Sequence, residues 1–522
     1  MVTLACLIVI DNLFVFKATR FDLNFENLPL KEELGCGELS FKTFSLEKMK
    51  IQACSLLVAL LCIMAADAQV AFPIKISDDK RYVVDQNDQP FPILGRTAWF
   101  IISQPDTGYK KFLDNSIEHG HNAIEMAVIT HWPMGNHAPF NGNGDIPFLK
   151  RLDGKDWTGK LTYGSINDEA PDLLSPNEKY WRFVDDFLFY CESKGILVFM
   201  FPGYVGYNGE EQGWMRELVV NGTERTKAYG AWIAARYKNR KNIVWMLLGD
   251  MGKFNEQQRD AEAALIKGLK SVQDQQSVQY SAESFSGQNA ADNVDFGEEM
   301  TLNASYTWEL RVPVPHIARN AYAHDPVMPS FLLEEPYDEE GPDGNNYNPN
   351  ATQPVRRFQW WGWLSTIGGY ISGNGYVWQF VDPVWQQHLN TQAALDMSRL
   401  NQFIRAIDWW RLVPSGLNGM GMLIMDIENI DTSAAYVSAA ATRDGSLLVA
   451  YIPPAHKGSV TVNMKVLSNK MYGYWFDPTL GVFTSVSDTP FNDKDVHSFT
   501  PPGKNSRGEG DWVLVLSATK RK

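Results

Sequence analysis

Residues 242–250 read Asn-Ile-Val-Trp-Met-Leu-Leu-Gly-Asp, an apolar run that ends on a carboxylate. The run is short, uninterrupted by polar residues and rich in Ile, Val, Trp and Leu, which is typical of a strand buried on both faces. Residues 327–336, Val-Met-Pro-Ser-Phe-Leu-Leu-Glu-Glu-Pro, repeat the pattern and end on Glu334 and Glu335. A (β/α)8 barrel keeps its catalytic groups at the carboxyl ends of such strands. The two stretches therefore predict a parallel barrel with acids at its mouth.

Strands and helices alternate around these two stretches. Amphipathic helical segments lie between several of the strands, at 177–194, 223–238, 255–273 and 354–366. Eight strands that alternate with helices over about 290 residues match the count and length of a TIM barrel. We therefore expect an α/β catalytic domain of the (β/α)8 class at 69–415. Its candidate strands are 92–98, 122–129, 196–202, 243–249, 278–283, 299–306, 327–335 and 367–380.

The pattern of polar and apolar residues changes at about residue 416. Short alternating runs such as 435–440, 447–451 and 459–463 are separated by Asp-Gly, Pro-Pro and Lys-Gly, and residues 512–516 add a last run. Alternating runs broken by turn residues are typical of antiparallel sheets. We therefore expect a C-terminal antiparallel β-sandwich at 416–522.

The N-terminal 68 residues read as targeting sequence rather than as a folded domain. Residues 49–68 combine Lys50, an apolar centre and Ala66-Asp67-Ala68, which is the pattern of a secretory signal peptide. This predicts that Met49 is the true start, that 1–48 is a mis-annotated extension, and that the protein is secreted or periplasmic. An alternative is that the apolar residues 1–16 form a second targeting segment. After cleavage, Cys191 would be the one remaining cysteine, so no internal disulfide is expected.

Composition narrows the classes of partner. The formal net charge of −14 disfavours nucleic acid or an anionic membrane, since both attract basic surfaces. We expect no nucleic-acid partner and no membrane partner after signal cleavage, and the sequence leaves the oligomeric state open. The chain has 17 Trp, 20 Tyr and 28 Phe residues, most of which we expect in the core, and flat aromatic rings can also stack on sugars.

The acids at the two strand ends suggest hydrolysis of glycosidic bonds. Asp250 and Glu335 end candidate strands four and seven, so they would face each other across the mouth of a barrel. Glycoside cleavage needs one carboxyl to protonate the leaving oxygen and a second to attack the anomeric carbon or activate water. Glu334 competes with Glu335 for this position, because alternation along a strand turns only one of them inward. Acids that cap helices or pair with Arg are the structural alternative.

A metal-dependent hydrolase on the same barrel is a weaker reading. His119-Gly120-His121 has suitable spacing, but it precedes its strand and so lies at the non-catalytic end. No phosphate-binding loop, dinucleotide fingerprint or serine-nucleophile elbow stands in a suitable context. We therefore expect no metal site and no cofactor. We read residues 338–340, Asp-Glu-Glu, as a solvated acidic loop.

Four motifs occur in the order seen in one known family. They are Leu94-Gly95-Arg96-Thr97-Ala98-Trp99, Gly120-His121-Asn122-Ala123-Ile124, Asn242 to Asp250, and Glu335-Pro336-Tyr337-Asp338. In these motifs the chain resembles the apiosidase-like group that includes glycoside hydrolase family 140. Its C-terminal part, with Tyr474-Trp475-Phe476-Asp477-Pro478 and Gly510-Asp511-Trp512, resembles the collagen-binding-like β-sandwich usually attached to that group.

The resemblance implies a hydrolase of plant cell-wall carbohydrate, with Asp250 as acid/base and Glu335 as nucleophile. The placement of these acids after strands four and seven predicts that the enzyme is retaining. One departure concerns the first strand, where the family usually has Asp and this chain has Arg96. An arginine at the cleft would suit a carboxylated sugar, or would pair with a catalytic acid. Candidate substrate contacts are Arg96, Trp99, His131, Trp132, Tyr204, Trp308, Tyr337 and Trp378. The rival function is a non-catalytic carbohydrate- or collagen-binding protein on a barrel scaffold.

Overall fold

The computed structural model describes residues 70–131, 137–161, 169–209, 212–272, 278–308, 314–340, 352–380, 383–492 and 494–521, with the backbone of two further strands. Those two strands, Ala5–Ile10 and Leu13–Ala18, pair antiparallel within the unit Met1–Gln69. The predicted signal peptide at 49–68 lies outside the described residues. Residues Val70–Lys522 form a second unit, which carries all the features below.

Eight parallel strands form the barrel. Neighbours in the chain are neighbours in the sheet, and the eighth strand pairs with the first. Between the fifth and sixth strands the ring closes where the backbone N–H of Leu302 donates to Tyr280 O at 3.0 Å. The predicted (β/α)8 class is therefore confirmed. The strands are β1 (Ile93–Thr97), β2 (Ala123–Ala127), β3 (Leu197–Phe201), β4 (Ile243–Leu248), β5 (Gln279–Glu283), β6 (Asn303–Ser305), β7 (Ser330–Leu332) and β8 (Ile367–Ser372).

A helix follows every barrel strand except β5, which is followed by two short 3-10 turns, Ala290–Asp292 and Gly297–Glu299. The third helix begins eight residues before the predicted start of 223, because a break at Gly222 with φ of 74° is accommodated inside it. The helices are α1 (Asp106–Glu118), α2 (Glu178–Ser193), α3 (Met215–Tyr237), α4 (Glu256–Lys270), α5 (Val314–Ala323), α6 (Thr352–Thr366) and α7 (Gln392–Arg405).

The barrel strands are apolar on both faces because one face fills the barrel and the other meets the helices. Every residue of β4 is buried, which accounts for its unbroken apolar sequence. Phe199 and Phe331 meet inside the barrel with ring centroids 5.3 Å apart. On the outer layer, the apolar side of α2 is buried, and it includes the free thiol of Cys191.

The C-terminal strands form two antiparallel sheets, as predicted. The strands are β9 (Leu412–Pro414), β10 (Ser438–Thr442), β11 (Leu447–Ile452), β12 (Val460–Asn463), β13 (Tyr472–Asp477), β14 (Val482–Ser485), β15 (Val496–Phe499) and β16 (Trp512–Ser517). Six of them pair in the order β9-β10-β11-β16-β13-β14, and β12 pairs with β15.

The central strands of the six-stranded sheet are buried on both faces, whereas the edge strand β14 is largely exposed. Leu514 and Leu516 of β16 pack toward the small sheet, in one core with Val460 and Phe499. The alternate residues Val513 and Val515 pack toward the barrel, in a core that includes residues of α6 and α7. Trp360 of α6 stacks on Tyr451 of β11 with the ring planes 8° apart. The barrel therefore covers one face of the sandwich's main sheet.

A buried arginine strengthens this junction. Arg356 of α6 donates to Asp396 of α7 at 2.6 Å and to both carboxylate oxygens of Asp511 at 2.8 Å, and all three side chains are fully buried. Tyr451 also donates to Asp511, at 2.8 Å. Removal of one member of such a buried set of charges strongly destabilises the folded protein.

A small three-stranded antiparallel sheet, Lys75–Ile76, Val83–Val84 and Pro90–Phe91, precedes β1. Among the described helices, none is both long enough and apolar enough to cross a membrane.

Candidate active site

A cavity of about 500 Å³ opens at the carboxyl ends of the barrel strands. Its lining comes from the segments that follow the strands around the barrel, which is where this architecture presents functional groups. Aromatic rings and carboxyl groups dominate the wall. The lining includes Trp99, His131, Tyr204, Trp214, Asp250, Glu283, Tyr306, Trp308, Glu334, Tyr337, Glu340 and Trp378.

Asp250 lies on this wall at the end of β4. The hydroxyl of Tyr204 donates to Oδ2 of Asp250 at 2.7 Å, and Tyr306 is a second hydroxyl that bonds to this carboxyl. Burial raises the pKa of Asp250 above its usual value, and the two tyrosine hydroxyls oppose that rise. A carboxyl with a raised pKa keeps its proton to higher pH than an exposed carboxyl, as suits a general acid.

The backbone before Asp250 has an unusual conformation that aims this side chain. Leu248, Gly249 and Asp250 have positive φ angles of 63°, 128° and 48°. A Cβ atom on Gly249 would lie 2.2 Å from the ring of Tyr204, so glycine lets this ring pass over the strand end. Glu262 of α4 accepts the backbone N–H of Leu248 at 3.1 Å and so stabilises the turn from behind.

Glu334 lies across the mouth, beyond the end of β7. Its Oε1 accepts the indole N–H of Trp99 at 2.9 Å and the hydroxyl of Tyr337. Burial raises the pKa of Glu334 to about 8, and the two donors act in the opposite direction because they favour the ionised form. Asp250 contributes to the rise, which indicates that the two carboxyls interact.

The two neighbouring glutamates at this strand end lie in different surroundings. Glu334 lines the cavity, whereas Glu335, which we expected there, does not. Glu335 is fully buried beside Gln359 of α6, and burial raises its pKa. The physical reason is that β7 ends at Leu332, so the alternation of the strand does not continue to residues 334 and 335.

Three further carboxyls surround the pair. Glu283 and Glu340 line the cavity, and Glu125 of β2 is buried close enough for Glu334 and Asp250 to raise its pKa, after burial itself. Glu340 accepts the indole N–H of Trp308 at 3.1 Å, and burial raises its pKa to about 7. The expectation of a solvated loop at 338–340 is wrong for Asp338 and Glu340, which are only 5% and 8% exposed.

Arg96 does not lie in the cleft, contrary to expectation. Its side chain points from β1 toward α1, where it donates to Asn115 at 2.9 Å and lies 5.0 Å from the centre of the Phe112 ring. Burial lowers its pKa to about 10. Arg96 therefore cannot contact a sugar in the main cavity or pair there with Asp250.

Most of the other predicted contact residues meet in the cavity. Trp99, His131, Tyr204, Trp308, Tyr337 and Trp378 all contribute to its lining, and Trp132 lies outside the described residues. Trp99 and Tyr204 pack with ring centroids 4.9 Å apart. His131 is held by Glu217 of α3, at 3.1 Å.

The paired histidines lie elsewhere. His119 bonds to the backbone of Asn115 at 2.9 Å, and His121 packs against Tyr370. In the described parts of the chain, no three His, Cys, Asp or Glu side chains are grouped so as to hold a metal ion.

Tyr306 and Glu283 are two of the lining residues that were not predicted from the sequence. Tyr306 follows β6 and contacts Asp250, and Glu283 is the last residue of β5. Both stand at the carboxyl end of a candidate strand, so the reasoning that selected Asp250 would have found them if it had been applied to every strand.

Comparisons with known proteins agree with this geometry. One solved structure, described as "Glycoside hydrolase", superposes with a TM-score of 0.68 at 18% identity, covering 87% of this chain and 98% of its own. A glycoside hydrolase family 5 structure from Bacteroides vulgatus ATCC 8482 gives a TM-score of 0.67 at 19% identity, covering 85% of this chain and 93% of its own. At these identities the likeness shows the fold. No curated protein matched the chain.

Family models cover most of the same region. Residues 77–411 match the model "Apiosidase-like, catalytic domain", and residues 423–517 match "Putative collagen-binding domain of a collagenase". The barrel, its acidic aromatic cleft and the first of these matches define the class of the protein, which is a glycoside hydrolase. Within that class, the chain belongs to the apiosidase-like family.

Proposed function

We propose that this chain is a secreted or periplasmic retaining glycosidase that releases a sugar from plant cell-wall-type carbohydrate. Asp250 acts as the acid/base and Glu334 as the nucleophile. The observation that carries the proposal is the pairing of these two carboxyls on one aromatic-lined cavity, after strands four and seven of the barrel. The family description supports the substrate class, since it names an apiosidase-like catalytic domain.

The hydrogen bonds support the division of roles. Trp99 Nε1 can only donate, and both it and Tyr337 donate to the same oxygen of Glu334, which suits an ionised nucleophile. Tyr204 donates to Oδ2 of Asp250, and Tyr306 is a second hydroxyl that bonds to this carboxyl. Because burial raises the pKa of both carboxyls, the pair retains a proton to higher pH than two exposed carboxyls.

In the proposed reaction, Asp250 protonates the leaving oxygen while Glu334 attacks the anomeric carbon, so the glycosidic bond breaks as a glycosyl–Glu334 ester forms. Asp250, now ionised, takes a proton from water, and that water hydrolyses the ester with release of the sugar. The net configuration at the anomeric carbon is retained because each step inverts it.

The charge of the cavity favours a neutral sugar beside the two acids. Asp250, Glu283, Glu334 and Glu340 all line it, and its described lining includes no Lys or Arg. A carboxylated sugar at this depth would meet like charges with no cation to offset them. This replaces the uronic-acid hypothesis that rested on Arg96.

The experiment is sugar release from pectic side chains with and without apiose, by wild type and by Asp250→Asn, Glu334→Gln and Glu335→Gln. We expect the first two variants to lose release and Glu335→Gln, the matched control one residue away, to keep most of it. The anomer formed first, followed by NMR, tests retention. If Glu335→Gln is inactive and Glu334→Gln is active, the assignment of the nucleophile fails. If wild type binds glycans but releases no sugar, the proposal fails in favour of a binding protein.

A further inference from the structure

A second cavity, of about 610 Å³, lies at the opposite end of the barrel. We call it the junction groove; its principal residues are Arg81, Tyr82, Tyr322, Trp410, Arg411 and Arg443. Tyr322 is near the end of α5 and Trp410 follows α7. Because helices of a β/α barrel run back toward the amino ends of the strands, these residues lie far from the catalytic mouth. The size is in the range of small-molecule sites.

Three parts of the fold build this groove. Arg81 and Tyr82 come from the small sheet before β1, Tyr322 and Trp410 from the barrel, and Arg443 from the turn between β10 and β11 of the sandwich. The groove therefore exists only when the barrel and the sandwich are docked.

The wall of the groove is aromatic. Tyr82 and Trp410 are both half-buried, so each ring keeps an accessible part. Trp409 supports them from beneath, with ring centroids 5.6 Å from Tyr82 and 6.1 Å from Trp410. A fixed, partly exposed indole beside a phenol is suited to packing against the apolar face of a sugar ring.

The rim carries two guanidinium groups, those of Arg81 and Arg443, with N–H donors that can bind a ligand. Arg81 donates to Tyr322 O and lies 4.2 Å from the centre of the Tyr322 ring, and Arg443 donates to Asn418 O at 2.7 Å. Among the described residues, no carboxylate lies within ion-pair distance of Arg81 or Arg443. Each guanidinium has five N–H donors, so both can still take a carboxylate.

Both acids of the groove already have partners, an ion pair for Asp444 and hydrogen bonds for Asp79. Asp444 pairs with Arg411 at 2.5 Å. Oδ1 of Asp79 accepts the hydroxyl of Ser77 at 2.7 Å and the backbone N–H of Arg81 at 3.1 Å. The groove is lined by three arginines, Arg81, Arg411 and Arg443, and two aspartates, Asp79 and Asp444, so its net formal charge is +1, although the chain as a whole carries a formal charge of −14.

We propose that the junction groove is a non-catalytic binding site for an acidic saccharide, in which Trp410 and Tyr82 pack on a sugar ring and Arg443 and Arg81 bind its carboxylate. It rests on the proposed function only in the expectation that the protein meets polysaccharide. The groove would hold a uronate-bearing chain while the acidic cleft at the other end of the barrel takes a neutral sugar.

The test is a binding titration with oligogalacturonate, using the full chain with Asp250→Asn so that the probe is not consumed. Adding Arg443→Gln should weaken binding about tenfold or more, since a charge-assisted contact is lost. Adding Arg182→Gln, an exposed arginine on α2, is the matched control and should leave the affinity unchanged. A neutral galacto-oligosaccharide of equal length should bind weakly to all three.

Unchanged oligogalacturonate affinity in the Arg443→Gln protein would overturn the proposal, as would equal binding of the neutral oligosaccharide. Arg443 is exposed, so its replacement tests the site without a folding defect. Sugar release by an otherwise wild-type Arg443→Gln protein separates this proposal from the catalytic one. We expect that release from a short neutral substrate is unchanged, whether or not oligogalacturonate binds.

Discussion

The indole N–H of Trp99 donates to Oε1 of Glu334 at 2.9 Å, a bond between residues 235 positions apart in the sequence. The same indole packs on Tyr204 with ring centroids 4.9 Å apart, and Tyr204 donates to Asp250 at 2.7 Å. One continuous series of contacts therefore links the two acids of the cleft through the strand-one and strand-three segments. A substitution of Trp99 should therefore affect Glu334 more than Asp250.

Replacing Trp99 with Phe keeps a ring in this position and removes the donor. A hydrogen bond to a charged group contributes about 1.5–3 kcal/mol, so its loss should lower kcat/KM by roughly 10- to 100-fold. The donor favours the ionised form of Glu334, so its loss should raise the pKa of this carboxyl and move the acidic limb of the kcat/KM profile to higher pH.

The control for this change is Trp181→Phe. Trp181 is also fully buried and donates its indole N–H to a backbone oxygen, that of Pro147 at 3.0 Å, outside the cavity. It should lower stability without moving the pH profile. If the acidic limb is unmoved in Trp99→Phe as well, Trp99 does not act through Glu334.

Gly249→Ala tests the conformation that aims Asp250. The new Cβ would meet the Tyr204 ring at 2.2 Å and would sit on a backbone with φ of 128°. Either Tyr204 or Asp250 must move, and we expect kcat to fall by more than about 100-fold, because misplacement of about 1 Å costs that much.

The chain offers a matched glycine for comparison. Gly203 follows β3, on the neighbouring strand, and an added Cβ there meets nothing within 4 Å. Gly203→Ala should keep nearly all activity. Similar kcat values for the two alanine variants would contradict the role given to the Gly249 turn.

Glu262 should make stability depend on pH in a specific window. Burial raises its pKa to about 7, from an ordinary value of 4.5. Because the folded-state pKa is the higher one, the contribution of this group is fully present below about pH 4.5 and is lost as the pH rises through about 7. The full difference corresponds to roughly 3 kcal/mol of unfolding free energy at most.

Glu262→Gln keeps an oxygen that can accept the N–H of Leu248 and removes the titration. The unfolding free energy of the variant minus that of wild type should therefore be larger at pH 8 than at pH 5. Denaturant unfolding at both pH values measures the change. An equal difference between variant and wild type at the two pH values would show that Glu262 does not titrate in this window.

The sequence predicted the carboxyl ends of β1 to β6 to within two residues, placed those of β7 and β8 three and eight residues too late, and predicted the direction of individual side chains poorly. Strands buried on both faces have no alternation between polar and apolar residues, so nothing in β1 indicates that Arg96 points toward α1 rather than into the cleft. The same limit applies to Glu334 and Glu335, since the alternation they would follow stops at Leu332. Burial of Glu340 depends on Trp308, a partner 32 residues away that no local pattern indicates.

Arg356→Met should destabilise the barrel and the sandwich together, so that both unfold in the same transition. The change leaves the buried carboxylates of Asp396 and Asp511 without their shared cation, which costs about 3–5 kcal/mol. Since Arg356 belongs to the barrel and Asp511 precedes β16 of the sandwich, the loss should appear as one cooperative transition at lower denaturant concentration. Arg259→Gln, which breaks a half-exposed pair with Asp295, should cost about 1 kcal/mol or less. Two separate transitions in Arg356→Met, with the barrel unaffected, would contradict this prediction, because they would show that the barrel unfolds independently of the sandwich once the arginine is gone.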